Sequence, residues 1–416
     1  MAGEWKAVPV QDIAKRTATG PFGSAISSKH FVDSGVPVIR GSNLSQIVST
    51  RLDDSGLVFV SEEKAQEFGR SEARRGDLIF TCWGSIDQVG LIDSRAKYDH
   101  YIVSNKQMLL TPEESKADSL FLYYYFASPE TRAQIINEGI GSSVPGFNLG
   151  QLRSFKVLLP TLAEQKAIAA MLGALDDKIE LNQRMNATLE AMARALFQSW
   201  FVDFDPVQAK LDGRQPVGLD PATAALFPDS FHETKVGHIP AGWELGRLAD
   251  LCNLKRGHDL PTTTRTAGLI PVISSSGTSG THSETNVRGP GVVTGRYGTI
   301  GKVFYVETDY WPLNTTLFVD DFKGNSPRFI FHVLGAVNFQ NYTDKAAVPG
   351  VNRNHLHEEP TILPPMELRQ AFAHTVSPLW LQHAANERES RTLATLRDTL
   401  LPKLLSGELK TEGFIV

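Results

Sequence analysis

The chain has 416 residues, too many for one hydrophobic core and enough for two to four domains, and its apolar (41%) and charged (21%) fractions are those of a soluble globular protein. Its net charge of −5 argues against a stand-alone nucleic-acid binder, which usually carries a basic excess. Cys82 and Cys252 are the only cysteines, too few and too far apart for a disulfide framework or a zinc knuckle, which points to a reducing, cytoplasmic setting. No apolar run approaches the roughly 20 residues of a membrane-spanning helix, and "MAGEWKAVPVQ" has neither the basic nor the apolar block of a signal peptide.

Residues 1–160 form a first globular block. Its apolar runs are bounded by Gly and Pro, as core strands and their turns are. Polar loops such as "VIRGSNL" (38–44) lie beside these strands, where a scaffold carries recognition. Ser24, Lys29, Arg40, Asn43, Trp83 and Lys106 are the candidate contact residues of this block.

A helical stretch, 161–205, follows Pro160, with Thr161 and Glu164 spaced as a capping box. Leu172, Leu175, Ile179, Asn182, Asn186, Leu189, Ala193, Leu196 and Trp200 step by three and four, which predicts a helix–helix seam with two asparagines in it. Residues 206–240 are rich in Pro, Gly and Asp and read as a connector.

Residues 241–365 say again what the first block says. "EWKAVPVQDI" (4–13) runs alongside "GWELGRLADL" (242–251), "GDLIFTCWGSIDQV" (76–89) alongside "PGVVTGRYGTIGKV" (290–303), and "SSVPGFNLGQL" (142–152) alongside "AAVPGVNRNHL" (346–356). The offset falls from 238 to 214 to 204, so the second copy is 34 residues shorter, trimmed in its middle and kept at its ends. The shared segments are apolar and the differing ones mostly polar: one scaffold carries two sets of loops. In "TGRYGTIG" (294–301) the glycines allow close backbone approach, while Arg296, Tyr297 and Lys302 offer a guanidinium fork, a stacking ring and a point charge. The first copy keeps an aromatic there, Trp83, and no base. Lys255, Arg256, His258, Ser275, Ser276 and Asn314 are the further candidates of this block. The two blocks are close to neutral (17 basic and 18 acidic residues, then 11 and 11), so the acidic excess lies mostly outside them.

The last segment, 366–416, repeats the helix. Leu379, Asn386, Leu393 and Leu400 sit 204 positions beyond Leu175, Asn182, Leu189 and Leu196. Pro378 is expected to bend or restart this helix. Two helices that each end a duplicated unit most simply pack antiparallel, as a rod of about 60 Å with a globular block at either end.

Catalytic patterns are missing from the sequence: there is no phosphate-binding G-x-x-x-x-G-K-[ST], no G-x-S-x-G and no H-E-x-x-H. "HLHEE" (355–359) resembles a metal site, but the first copy has "QLRSF" there. "FVDFDP" (201–206) reads as an aromatic plug at a helix end.

Together, "GPFGSAI", "GVPVIRGSNL", "SSVPGFNLGQL…LPTLAEQKAI", "LDDKIELNQRMNATLEAMARALFQSWFVDFDP", "FPDSFHETKVGHIPAGWELGRLADL", "GPGVVTGRYGTIGKVFYV" and "LLPKLLSGEL" resemble the specificity subunits of type I restriction–modification systems, over essentially the whole chain. The resemblance implies an α+β fold: two mixed α/β target-recognition domains, 1–160 and 241–365, separated by two long antiparallel helices in a pseudo-two-fold duplication. It also implies a non-catalytic chain that reads one half of a split double-stranded DNA site with each domain. Such a chain docks two methyltransferase subunits and, through the complex, two restriction–translocase subunits. S-adenosylmethionine, ATP and Mg2+ would belong to the complex, with no cofactor or metal in this chain and no membrane partner. The alternatives are a coiled-coil scaffold without DNA specificity and a stand-alone nuclease or hydrolase. The second helix starts from "PPMELRQAF" where the first has "PTLAEQKAI", a departure that bears on whether the two docking faces are equivalent.

Overall fold

The computed structural model describes residues 5–141, 144–343 and 350–410. They divide into two compact units, one running to residue 184 and resuming at 385, the other spanning 185–384. The two long helices, Leu162–Phe201 and Met366–Leu405, are shared between the units. No helix of the described residues is long and apolar enough to cross a membrane.

In the first unit the strands are β1 (Lys6–Pro9), β2 (Ala14–Thr19), β3 (Val36–Ile39), β4 (Val58–Val60), β5 (Glu72–Arg74), β6 (Leu78–Thr81), β7 (Val89–Leu91), β8 (His100–Val103), β9 (Gln107–Pro112) and β10 (Lys156–Leu159). They form a sheet ordered β2-β9-β6-β7, a sheet ordered β4-β3-β8-β5 in which β3 and β8 are parallel, and the antiparallel pair β1-β10. Strands β3 and β6 are buried at every position, so they read as unbroken apolar runs instead of alternating ones. "LFLYYYFA" (120–127) lies wholly within the core helix Ser119–Ala127, started by Asp118 accepting the Phe121 N–H at 2.8 Å.

The second unit repeats this plan. After a hairpin of β11 (Phe231–Thr234) and β12 (Gly237–Pro240) come β13 (Glu244–Arg247), β14 (Asn253–Arg256), β15 (Ile270–Ser274), β16 (Gly277–His282), β17 (Gly291–Gly295), β18 (Val303–Val306), β19 (Trp311–Pro312), β20 (Thr316–Asp321) and β21 (Pro360–Leu363). The sheet β14-β20-β17-β18 mirrors β2-β9-β6-β7; β16-β15-β19 keeps a parallel pair, β15 with β19, now at the sheet edge; β13-β21 mirrors β1-β10. Lys6 faces Leu159 and Glu244 faces Leu363, so the structural offsets at the two ends are the sequence offsets of 238 and 204. The trimming is visible too. Val36 pairs with Val60 across a long excursion, whereas β15 turns into β16 through Ser275 and Ser276 alone.

Both units pack the long helices antiparallel, with different chemistry. In the first, Asp176 accepts from Arg397 at 2.7 Å and from the Tyr124 hydroxyl at 2.6 Å, and the Asn182 amide donates to Asn386 O, Glu389 and Ser390. In the second, His383 meets Glu190 at 2.9 Å, Asn186 donates to His383 O, and Phe197, Trp200 and Phe201 pack on Phe372.

One expectation, at Pro378, is corrected, and the seam gains detail. The buried face of the first helix passes through Leu172, Asp176, Ile179 and Asn182, with Leu175 only half-buried beside it, as are Leu189, Leu196, Leu379, Leu393 and Leu400. A charged residue reads as surface in a sequence; here Arg397 and Tyr124 make it an interior one. Pro378 does not end the second helix, which runs unbroken through it. The proline is exposed while Val376 and Trp380 on either side are held in the aromatic core. At the helix start, where Glu-Gln gives way to Leu-Arg, one of the two contacts is kept. Gln165 donates to Pro160 O at 3.0 Å, and Arg369, 204 positions on, donates to Pro364 O at 2.7 Å. The capping box of Thr161 and Glu164 is formed.

Burial opposes the charge on Arg397, but the bonds and charges of Asp176 and Asp398 together outweigh this and hold the guanidinium pKa above its ordinary value. Asp176→Leu removes that cation's buried partner and leaves it only the exposed Asp398, and is expected to cost about 3 kcal/mol, whereas Asp176→Leu with Arg397→Met should recover most of the loss. Urea unfolding of the three proteins checks this; equal destabilisation by the single and double variants would contradict it.

Candidate functional site

In each unit one aromatic ring lies over one glycine. Gly84 (φ 97°) and Gly298 (φ 76°) turn the chain just after the sheet strands β6 and β17, in a conformation that only glycine enters at low cost. This sets Trp83 in a bridge with Gly146, and Tyr297 in a bridge with Gly350. A Cβ on Gly146 would come within 2.5 Å of the Trp83 ring, and one on Gly350 within 2.1 Å of Tyr297. The glycine of the repeated V-P-G is therefore the floor on which each copy's aromatic rests. Backbone bonds repeat with it: Phe147 N–H donates to Cys82 O at 2.9 Å and Val351 N–H to Arg296 O at 3.0 Å. Ala346–Pro349 of the second V-P-G, and Ser142 and Ser143 before the first, lie outside the described residues.

Around this shared frame the side chains differ. In the first unit Arg40, Trp83 and Lys106 line one cleft of about 440 Å³, with Ile26, Phe31, Gln88 and Gln107. Trp83 is 48% exposed and offers a flat wall. Ser24 and Lys29 lie exposed in the loop that contributes Ile26, and the Asn105 amide holds that loop by donating to Gly23 O at 2.8 Å. Asn43 is turned inward. Its amide donates to Asp53 O and Ser55 O and its oxygen accepts from the Arg40 N–H, so it shapes the loop and is not available to a ligand.

In the second unit Arg256 and Arg296 line a cleft of about 320 Å³ with Asn352, Arg353 and Asn354. Arg296 stands where the first copy has the buried Cys82, and its guanidinium lies 4.4 Å from the Tyr297 ring centre. Ser275 packs beside Gly295 and Gly298, and Ser276 bonds Ser274. The other candidates stand apart from this cleft's lining: Lys302 lies over Phe304, Lys255 pairs with Asp320 at 2.8 Å, Asn314 donates to Asp259, and His258 packs on Phe318.

The sequence reading missed Gln107, which leads an apolar strand and looked like part of it, and Arg353, which lies inside the quoted echo "VPGVNRNHL" where the first copy has Leu149.

The remaining chemistry is structural. His357 accepts the Leu254 N–H at 2.9 Å, and burial, helped by the Arg353 charge, lowers its pKa. Phe204, at φ 56°, plugs the end of the first long helix against Phe231 and Trp243. Burial pushes the thiols of Cys82 and Cys252 up to about 12, with Asp321 adding to the second, so neither is a ready nucleophile. Among the described residues no group of three His, Cys, Asp or Glu is placed to hold a metal ion.

Gly146→Ala drives a methyl into the Trp83 ring. It is expected to cost about 1–3 kcal/mol, measured by urea unfolding, and the cost should largely vanish in a Trp83→Ala background. Additive losses would place the clash elsewhere.

The family described as type I restriction modification DNA specificity domain matches residues 3–191 and 240–393. The chain is 26% identical to the type I restriction enzyme HindI specificity subunit of Haemophilus influenzae, over 98% of this chain and 100% of that one. It is 24% identical to the MjaIX specificity subunit of Methanocaldococcus jannaschii, over 98% and 94%. Its fold is similar to the crystal structure of the type I restriction–modification S subunit from M. genitalium, with a TM-score of 0.54 at 16% identity over 96% of each chain.

Proposed function

The chain belongs to the type I restriction–modification DNA specificity family, and from that premise we propose that it reads a split, asymmetric double-stranded DNA site, one half with each of its two repeated domains. The observation that carries this reading is one backbone frame, built twice, bearing two unlike clefts: Trp83 with Arg40 and Lys106 in the first, Arg296 with Arg256 and Arg353 in the second. A palindromic site needs identical readers; a duplicated chain with divergent loops suits two different half-sites.

We take residues 1–160 and 241–365 as the target-recognition domains, 161–205 and 366–416 as the conserved helices, and 206–240 as the connector. The chain itself is non-catalytic in this reading. Two methyltransferase subunits dock on it and methylate adenine with S-adenosylmethionine, and two restriction–translocase subunits join through them, using ATP and Mg2+ in the cytoplasm. Partner subunits supply much of the phosphate contact, which accounts for an acidic chain in a DNA-binding assembly.

Arg296 is the test residue of the second cleft. Arginine presents two parallel donors to guanine O6 and N7, and such a contact contributes about 1–3 kcal/mol of discrimination. Arg296→Ala, assayed as methylation of a duplex library by the assembled complex, is expected to relax one position of one half-site by that amount and leave the other half-site intact. Unchanged preference in both halves would remove Arg296 from the reading surface, and relaxation of both together would contradict the assignment of one half-site to each domain.

A further inference from the structure

We infer that Gln107 is a specificity-determining residue that reads a guanine edge in the first cleft; this rests on the first domain being a DNA reader. Gln107 opens β9 at the floor of the cleft and is 1% exposed. Its oxygen accepts from the Ser104 hydroxyl, while its Nε2 is buried with no hydrogen-bond partner among the described residues. A buried amide donor without a partner destabilises a fold, so its presence needs a reason.

The second unit shows that the scaffold does not supply one. Gln107 N–H donates to Ser104 O, and the equivalent Thr316 N–H donates to Leu313 O. Each accepts on its own carbonyl the N–H of a glycine whose Cβ would strike that same Ser104 or Leu313 carbonyl, Gly20 in the first unit and Gly257 in the second. In this matched position Thr316 satisfies its own hydroxyl on Leu313 O at 2.7 Å. The unpartnered amide is a property of the first cleft alone.

The cleft's chemistry selects the ligand. A Cβ on Gly41 would lie 3.5 Å from Gln107 Nε2, so the amide abuts the backbone of Gly41, which lines the same cleft. Arg40, on the same cleft, donates to Gly56 O through one nitrogen, while its Nε is likewise buried without a partner. The Gln88 amide is already used, donating to Leu44 O and accepting from Thr81. The open buried groups are thus N–H donors. Of the four bases, guanine alone presents two adjacent acceptors, N7 and O6, on its major-groove edge; adenine and thymine pair one acceptor with an amine or a methyl, and cytosine presents an amine. A base edge entering the cleft would pass the Trp83 face, with Lys106 beside it for a phosphate.

The experiment uses the chain assembled with its methyltransferase subunits and a duplex pool randomised through both half-sites, read by methylation and by melting temperature. The wild type is expected to prefer guanine at one position that Gln107 controls. Gln107→Thr, which copies the second unit, should reduce that preference roughly ten- to hundredfold, leave the other half-site alone, and keep or raise the melting temperature. Gln107→Glu, which replaces the open donor by an acceptor, should turn the preference toward a base bearing an exocyclic amine. An unchanged base preference in both variants would overturn the assignment, as would a lower melting temperature with equal weakening on every sequence, the mark of a purely structural glutamine. If the wild-type complex shows no sequence preference at all, the proposed function falls and this assignment with it.

Discussion

The antiparallel pairing of each unit's first strand with its last, β1 with β10 and β13 with β21, ties the two ends of a recognition domain together just before a long helix begins. Once those ends are fixed, the chain between them can lengthen or shorten at little entropic cost, because closure entropy grows slowly with loop length. The second copy does shorten, at the β15–β16 turn among other places, without changing the order of its four-stranded sheet. Loops can therefore diverge while the aromatic, its supporting glycine and the neighbouring backbone bonds stay in register. A specificity protein needs that separation between what holds the reader and what reads.

The two units use this freedom unequally. The first joins its sheet domain to the helices through a buried polar chain, in which Asp93 accepts from Arg51, Arg51 donates to Tyr124, Tyr124 donates to Asp176, and Arg397 closes the run. The second uses a cluster of Phe197, Phe201, Phe329, Phe372 and Trp380 around the buried His332, whose pKa burial lowers to about 4, so the ring stays neutral. Polar chains demand one geometry and aromatic clusters tolerate several, so the two domains differ in how their attachment would respond to substitution.

The duplication is legible in the sequence because strand ends and turn glycines carry their constraints there: Gly84 with Gly298, Trp83 with Tyr297, and Gly146 with Gly350 align by position along the chain alone. The seam is legible in period but not in content. Leu175 reads as the inward residue because Asp176 is charged, and nothing local announces that Arg397, over two hundred residues away, neutralises it. Pro378 reads as a break because its cost is local, while the packing of Val376 and Trp380 that offsets it is tertiary. Asn43 reads as a base contact and is a loop clamp; Gln107 reads as part of a strand and is the cleft floor. Both differences depend on which way a side chain turns relative to a loop brought in from elsewhere, which one-dimensional pattern does not hold.

Single-molecule mapping of adenine methylation across the genome, in cells that carry this chain and in cells from which it has been removed, tests the central claim most directly. The account predicts one methylated motif that appears only with the chain, made of two different short halves separated by a fixed spacer of unspecified bases. A chain-independent pattern, or a continuous motif with no unread spacer, would contradict it.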